Sequence, residues 1–600
     1  MPTYTAPLED VRFVLHELLE AESHLAALPG YEESSADLID AVLEEGAKLA
    51  ENELFPLNQP GDAEGCHFEN GVVRTPAGFK EAYARFIEGG WTGIAADPNY
   101  GGQGLPKVVN FVMEEILSSA NMSFAMYPGL SQGAYNALET YGTDEQKSLY
   151  LPKLASGIWS GTMCLTEPQC GTDLGLIRTK AEPAEDGRYR ITGTKIFISA
   201  GEHDLTENIV HLVLAKLPDA PPGIKGISLF VVPKFLPKEE GGDHRLGPRN
   251  GVACGSIEHK MGIKASSTCV MNFDEAEGWL VGEPHKGMRA MFVMMNAARL
   301  GVGLQGLGIA EVSYQNALAY AKDRIQGRAL GGAKMPEQAA DSIIVHPDVR
   351  RNLLTMKAFG EGARALAYWV GLNIDVYTKH PDPAVRQEAE DLVSLMTPIV
   401  KAYFTDMGYE ATNIGMQVLG GHGYIHEWGM EQYARDARIA QIYEGANGIQ
   451  ALDLVGRKLP SHMGRSLRRF FHPVDRFVQE NLENPELIEF VGPLAKAFGK
   501  LQQATVTVAQ KGMKDPEEAG AASTDYLRLF ALVAVGYMWA RMAKLALEKK
   551  GQANGRDSFY DAKLKTARFF FARMMPEANG RFIALMGGAK PLMDMDVDQF

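Results

Sequence analysis

The sequence is poor in cysteine, with five among 600 residues and no Cys-x-x-Cys pair. An odd number of scattered cysteines indicates neither a disulfide framework nor a zinc site, so we expect no metal. Positive charge is also scarce: 59 Lys and Arg stand against 75 Asp and Glu, a formal net charge of −16. This balance argues against a nucleic-acid-binding protein, which normally presents a basic face.

Long apolar runs are missing as well. The longest candidate, residues 527–539, is shorter than the roughly 18 residues of a membrane-spanning helix. Acidic residues interrupt the N-terminal segment, unlike a secretory signal or a transit peptide, and we expect a cytoplasmic location. Three arginines near two phenylalanines could contact anionic lipid, but a solvated helix between domains is the preferred interpretation (Arg465, Arg468 and Arg469 beside Phe470 and Phe471).

The remaining sequence divides into four segments, in keeping with the several packed units expected of 600 residues. Residues 1–157 are predicted to be helical because apolar residues recur every three or four positions. Residues 158–283 contain β-branched runs typical of strands, at 189–199, 209–215 and 227–232. Residues 284–457 return to helix. After the break at Pro460, residues 463–600 give four more helical patterns, at 467–482, 487–511, 526–549 and 561–586.

The predicted fold class is therefore α+β. The strands follow one another without intervening amphipathic helices, which argues against a doubly wound parallel sheet.

Two motifs match the sequence patterns of ligand-binding sites, but we interpret both as structural. Gly301-Val-Gly-Leu-Gln-Gly306 matches a dinucleotide fingerprint, which requires a strand directly before its first glycine. The Met- and Ala-rich residues 288–299 predict a helix there instead, so the small residues should allow close packing of helices. His422 and His426 have the spacing of helical metal ligands, but the glycines around them predict a turn.

Four ordered motifs resemble the signatures of the acyl-CoA dehydrogenase family: Met163-Cys-Leu-Thr-Glu-Pro-Gln-Cys-Gly-Thr-Asp173, Gly420-Gly-His-Gly-Tyr424, Ala434-Arg-Asp-Ala-Arg438 and Ile442-Tyr-Glu-Gly-Ala-Asn-Gly-Ile-Gln450. The resemblance covers about residues 40–455. It implies an N-terminal helical domain (1–157), a central β domain (158–283) and a C-terminal four-helix bundle (284–457), plus an appended helical domain (463–600). The length resembles the larger branch, which includes very-long-chain and 3-methylthiopropionyl-CoA dehydrogenases.

The resemblance also implies an FAD site, whose contacts would come from two regions of the chain. The first region would contact the flavin, with Thr172 also touching substrate (Leu165, Thr166, Gly171, Thr172, Phe197, Ile198 and Ser199). The second would reach the FAD of a neighbouring subunit, which implies a homodimer (Arg324, Gln417, Gly420 and Gly421). Glycines let backbone N–H groups approach phosphate oxygens, and arginine adds charge-assisted hydrogen bonds. Ala446 is a further expected cofactor contact.

Glu444 is the expected catalytic base. Removing a proton α to a thioester needs a carboxylate more basic than the usual Glu, with its pKa of about 4.3. The uncharged residues around Glu444 predict desolvation, which raises the pKa of a carboxylate. Some family members place the base just before an arginine on another helix, and here that position is Ala298, which cannot accept a proton. Arg299 and Gly445 are expected substrate contacts.

The activity implied is FAD-dependent α,β-dehydrogenation of an acyl-CoA to a trans-2-enoyl-CoA, in fatty-acid β-oxidation or related catabolism. Electron-transfer flavoprotein is the expected acceptor. Two alternatives stay open: an acyl-CoA oxidase that uses O2, and a catalytically silent flavoprotein or assembly module. Stoichiometric peroxide would select the oxidase, and flavin bleaching by acyl-CoA under nitrogen would exclude the silent protein.

Overall fold

A computed structural model describes residues 2–240, 243–552 and 555–600. The chain forms two compact units. Unit 1 consists of Met1–Glu45, Pro106–Glu115 and Val302–Phe600, and unit 2 of Gly46–Leu105 and Ile116–Gly301. Three of the four limits between these ranges fall within helices, and the fourth, after Leu105, lies just before a helix.

The helices of the described residues are, in chain order, α1 (Leu8–Arg12), α2 (Ala21–Ala26), α3 (Ala36–Leu49), α4 (Asn58–Glu64), α5 (Phe79–Glu88), α6 (Lys107–Tyr141), α7 (Asp144–Ala155), α8 (Gly287–Asp323), α9 (Pro347–Lys379), α10 (Pro383–Leu419), α11 (Met430–Arg438), α12 (Asn447–Asp453), α13 (Arg465–Asn481), α14 (Ile488–Lys514), α15 (Pro516–Lys549), α16 (Asp557–Phe569), α17 (Glu577–Met586) and α18 (Lys590–Met593). The strands are β1 (His67–Glu69), β2 (Val72–Arg74), β3 (Trp159–Cys164), β4 (Lys180–Pro183), β5 (Tyr189–Ser199), β6 (Asn208–Lys216), β7 (Ile227–Pro233), β8 (Phe235–Glu240), β9 (Asp243–Arg249), β10 (Val252–Ile257) and β11 (Thr268–Val281).

The main sheet of unit 2 closes into a small barrel. Pairing runs from β11 to β5, β4, β6 and β7, and β7 pairs with β11 again, while β3 and β10 flank this ring. Only the pairings of β6 with β3 and with β4 are parallel among the seven strands of this sheet, so the expectation against a doubly wound sheet is confirmed. The predicted strands correspond to β5, β6 and β7.

Both faces of β6 are buried, which explains its unbroken apolar sequence. One face packs with helix residues outside the barrel, through Val210, Leu212 and Leu214. The other face carries Val213 and Ala215 into the barrel core. The barrel is thus held by apolar packing on its inside and its outside.

The glycines of the dinucleotide-like motif lie inside α8, as predicted, and the motif has no preceding strand. A Cβ on Gly306 would approach the carbonyl oxygen of Phe404 to 2.5 Å. A Cβ on Gly408 would approach the carbonyl oxygen of Gly306 to 2.4 Å. The two glycines therefore allow α8 and α10 to cross with their backbones in contact.

Among the helices after Pro460, α14, α16 and α17 pack against α15. By length and composition this helix could cross a membrane, but 83% of its apolar window is buried within the protein. Its Trp539 donates a hydrogen bond of 3.0 Å to the carbonyl oxygen of Ala358 in α9. The prediction of one helix over 561–586 was wrong, because a π-helical turn at Phe570–Met574 and the following Pro576 separate α16 from α17.

A buried ion network joins distant parts of unit 1. Arg364, 1% exposed, contacts three carboxylates, those of Asp10, Glu115 and Glu311. Lys563 of α16 contacts Asp10 and, at 2.8 Å, Glu361. Burial opposes ionisation of Asp10, but the charges of Lys563 and Arg364 outweigh it and lower the pKa of Asp10 to about 2. The network therefore holds the N-terminal segment, α9 and α16 together through charges.

Candidate active site

Glu444 lies on a five-residue loop, Ile442 to Ala446, just before α12. Its φ is +55°, in the left-handed region that a glutamate rarely adopts, and the φ of Gly445 is +81°. Such strain is concentrated at functional sites and persists only where neighbouring contacts enforce it. The side chain is half-buried, so the desolvation expected from the sequence is incomplete in the protein alone.

Tyr443, in the same loop, is a neutral neighbour of Glu444. Its hydroxyl donates a hydrogen bond to Oε1 of Gln305 on α8. Burial, followed by the negative charge of Glu444, raises the pKa of Tyr443 well above its usual value. The phenol therefore stays protonated and adds no second negative charge beside Glu444.

The first predicted flavin region is a tight loop in unit 2. Glu167 and Cys170 exchange backbone hydrogen bonds of 2.9 and 3.0 Å, which closes a turn. The carbonyl oxygen of Leu165 accepts from the ammonium of Lys195 at 3.0 Å, and that of Thr166 accepts from the N–H of Ile196 at 2.9 Å. Strand β5 thus fixes the backbone of this loop.

A buried ion pair under this loop escaped the sequence analysis. Lys195 and Glu167 are 0% and 3% exposed and lie 2.8 Å apart. Glu167 also accepts hydrogen bonds from the backbone N–H groups of Arg178 and Thr179, at 2.6 and 3.1 Å. Burial raises the pKa of Glu167, but the charge and hydrogen bonds of Lys195 and Thr179 outweigh it and bring the pKa to about 2. The one available signal was a lysine directly before the apolar residues 196–198 of β5.

Phe197 has an unusual position on β5. The register with β11 shifts here, between Cys269 and Met271, and Phe197 has a φ of +58° and a side chain 59% exposed. A bulge of this kind redirects a side chain out of the strand. An exposed aromatic ring held in a strained strand fits the predicted contact with a planar cofactor.

The neighbours of Phe197 and the loop residues differ in accessibility. Ile198 is 2% exposed and its side chain belongs to the barrel core, so any cofactor contact there is limited to its backbone. Leu165 is likewise buried. Thr166 and Ser199 are half-buried, whereas Gly171 and Thr172 are exposed.

The second predicted cofactor region is assembled in unit 1. Gln417, Gly420 and Gly421 lie at the end of α10, and a Cβ on either glycine would meet no atom within 4 Å. The hydroxyl of Tyr320 lies 2.9 Å from Nδ1 of His422, and this contact links the glycine-containing turn to the end of α8. Tyr320 precedes the exposed Arg324 by one helical turn. Open glycine backbone beside an arginine suits a diphosphate.

Three further features predicted from the sequence are the histidine pair, Arg299 and the basic cluster. The ring of His422 stacks on Trp428 at 4.7 Å, and no cluster of metal-ligating side chains occurs in the described ranges. Arg299, the predicted substrate contact, is 7% exposed on α8 and lies 3.4 Å from Oδ1 of Asn296. Arg465 and Arg469 of the basic cluster pair with Asp391 and Glu388 of α10.

The loop that follows Arg324 folds around one carboxylate. Asp341, fully buried, accepts hydrogen bonds from the backbone N–H groups of Ala329, Lys334 and Met335 at 2.7 to 3.0 Å. These hydrogen bonds, that of Ala329 first, lower the pKa of Asp341 to about 2. This loop is therefore held in one conformation, directly after Arg324 of the second cofactor region.

Four family models match consecutive parts of the chain. They are described as the acyl-CoA dehydrogenase N-terminal domain (39–158), middle domain (162–276) and C-terminal domain (285–459), and as acetyl-CoA dehydrogenase C-terminal like (470–596). Together they span most of the 600 residues.

Relatives that align with nearly the whole chain indicate the same family as these models. The chain is 44% identical over 578 residues to a 3-methylmercaptopropionyl-CoA dehydrogenase of Ruegeria pomeroyi, covering 96% of this chain and 97% of the relative. It is 35% identical over 596 residues to a broad-specificity linear acyl-CoA dehydrogenase of Mycobacterium tuberculosis, covering 96% of each. The solved acyl-CoA dehydrogenase of Bacillus anthracis, complexed with FAD, has the same fold, with a TM-score of 0.74 at 22% identity over 92% of this chain and 88% of that one. The chain therefore belongs to the acyl-CoA dehydrogenase family, the FAD-dependent oxidoreductases of fatty-acid metabolism that act on acyl-CoA thioesters.

Proposed function

We propose that Glu444 is the base that removes the α-proton of the acyl-CoA. The observation that carries this proposal is its place on a strained loop, with a φ of +55° and a half-buried carboxylate. The neighbouring phenol of Tyr443 is held neutral, and the alternative base position is occupied by Ala298. The backbone N–H of Glu444 is proposed to donate to the thioester carbonyl, where a preorganised donor stabilises the developing enolate charge.

The residues of both cofactor regions fit FAD. Thr166, Gly171, Thr172, Phe197 and Ser199 are proposed to contact the flavin. When bound, FAD supplies the acceptor for the hydride that leaves the β-carbon, so that the acyl chain loses one proton and one hydride and becomes a trans-2-enoyl thioester.

Dimerisation is proposed from the second cofactor region. Arg324, Gln417, Gly420 and Gly421 would hold the diphosphate of the FAD in a second copy of the chain, and Ala446 would complete the cofactor contacts. We expect the purified flavoprotein to have twice the chain mass in light scattering. We expect Arg324→Ala to retain less FAD than Lys322→Ala, an exposed cation on the same helix end. A monomeric mass with full FAD content would contradict this arrangement.

The proposed substrates are short acyl chains, and 3-methylmercaptopropionyl-CoA is the first candidate. One relative supports this choice, because it is named for that thioester and is 44% identical over 578 residues. A single methylene in an apolar pocket changes discrimination by about 10- to 200-fold. Rates of flavin reduction should therefore differ clearly between acyl-CoAs of different chain length.

The experiment compares 3-methylmercaptopropionyl-CoA, butyryl-CoA and palmitoyl-CoA under nitrogen, with flavin bleaching followed by stopped flow. We expect either short substrate to reduce the flavin at least about 10-fold faster than palmitoyl-CoA. Fastest reduction by palmitoyl-CoA would overturn the proposed substrate class. Electron-transfer flavoprotein is the proposed acceptor in the cytoplasm, and stoichiometric peroxide without it would assign the protein as an oxidase instead.

A further inference from the structure

The residues at both ends of the Glu444 loop donate hydrogen bonds to one carboxylate. Oδ1 of Asp406, on α10, accepts a hydrogen bond of 2.7 Å from the amide of Gln441, just before the loop. The same oxygen accepts a second hydrogen bond of 2.7 Å from the amide of Asn447, just after the loop. One side chain on a neighbouring helix therefore fixes the distance between the two ends of the segment that carries Glu444.

The middle of the loop is held by a second side chain. Gln450 is fully buried, and its Nε2 donates to the carbonyl oxygens of Glu444 and Gly445 at 3.1 and 3.2 Å. These two residues have the left-handed backbone, with φ of +55° and +81°. Two hydrogen bonds from one amide to successive carbonyls specify that conformation.

Asn447 is itself oriented by a buried cation. The ammonium of Lys401, which is 0% exposed, donates to Oδ1 of Asn447 at 2.8 Å. This bond leaves the amide nitrogen of Asn447 to serve as donor, directed at Asp406 and, at 3.2 Å, at the carbonyl oxygen of Ala402. Lys401 of α10 thus sets the orientation of the Asn447 amide, on which the hydrogen bond from Asn447 to Asp406 depends.

We propose that Asp406 and Gln450 are positioning residues for α-proton abstraction, because together they fix the backbone from which the carboxylate of Glu444 projects. The inference rests on the proposed role of Glu444. Neither side chain needs to contact substrate or cofactor. Their effect is on the placement of the base, and a displacement of about 1 Å can reduce a rate about 100-fold.

The test uses the full-length holoenzyme and the variants Gln450→Met and Asp406→Ala, with whichever of 3-methylmercaptopropionyl-CoA and butyryl-CoA reduces the wild-type flavin faster. We expect flavin reduction to slow by about 10- to 100-fold, while the Kd for acyl-CoA and the FAD content stay close to wild type. The isotope effect with α-deuterated substrate should rise, since proton transfer becomes more limiting. Asp406→Asn, which keeps an acceptor oxygen, should recover part of the rate.

Gln432→Met is the matched control, because Gln432 is a buried glutamine that donates to Asp436 on its own helix α11. Equal losses in Gln432→Met and Gln450→Met would overturn the inference, as would an unchanged rate and isotope effect in Gln450→Met. Glu444→Gln is measured in parallel. If it stays active, the role of Glu444 fails; if it is inactive while Gln450→Met and Asp406→Ala behave as wild type, only the positioning inference fails.

Discussion

Glu444→Gln is expected to bind FAD and acyl-CoA yet reduce the flavin about 10²- to 10⁴-fold more slowly than the wild type, the usual contribution of a general base. Glutamine keeps the shape of the side chain but cannot accept the α-proton. The loop contacts through the carbonyl oxygen of residue 444 involve the backbone and should survive the substitution. Stopped-flow bleaching under nitrogen, with substrate binding measured separately, checks the result.

The control for this variant is Glu427→Gln, which removes the same charge from an exposed turn of the same unit. Its rate of flavin reduction should match that of the wild type. A rate for Glu444→Gln within a few-fold of wild type would remove Glu444 from the catalytic role. Loss of FAD from Glu444→Gln would instead indicate that the carboxylate is needed for folding of the site.

Lys195→Met is expected to destabilise the protein by about 3–5 kcal/mol, because it leaves the carboxylate of Glu167 buried without its counter-charge. The ammonium also holds the carbonyl oxygen of Leu165, so FAD retention should fall together with stability. Thermal unfolding followed by flavin release measures both effects. The double variant Glu167→Gln/Lys195→Met should recover part of the stability, since no unpaired charge remains buried.

The same ion pair predicts a dependence on pH. The pKa of Glu167 in the folded protein, about 2, lies below the usual value of about 4.3, so the pair stabilises the fold fully above that usual value. This contribution is lost as the pH falls from about 4.3 towards 2. The double variant should lack this part of the acid sensitivity. Identical acid-unfolding curves for the wild type and the double variant would contradict the assignment.

Local patterns in the sequence predicted local structure well. The β-branched run 189–199 coincides with β5, and the small residues at 301–306 lie within a helix, as their Met- and Ala-rich flank indicated. The family motifs implied the fold class, which is confirmed. The last predicted helix failed because apolar periodicity continues through Phe570–Met574, where the backbone hydrogen bonding changes and Pro576 then follows.

The features that set the site depend on contacts between residues far apart in the chain. Lys195 and Glu167 are 28 residues apart, and Asn447 lies 41 residues from Asp406. Neither pair has a spacing that a helix or strand period would reveal. The bulge at Phe197 is equally hidden, because the run around it has the composition of a regular strand. These contacts could therefore be identified only from the three-dimensional structure.

The ion network of Arg364 and Lys563 has a consequence for biosynthesis. Asp10 leaves the ribosome more than five hundred residues before its partner Lys563. Until Lys563 emerges, Asp10 and Glu361 each lack one of the two cations that they contact in the finished protein. Unit 1 should therefore complete its folding only after α16 has been synthesised, and proteins truncated before α16 should depend on chaperones or be degraded.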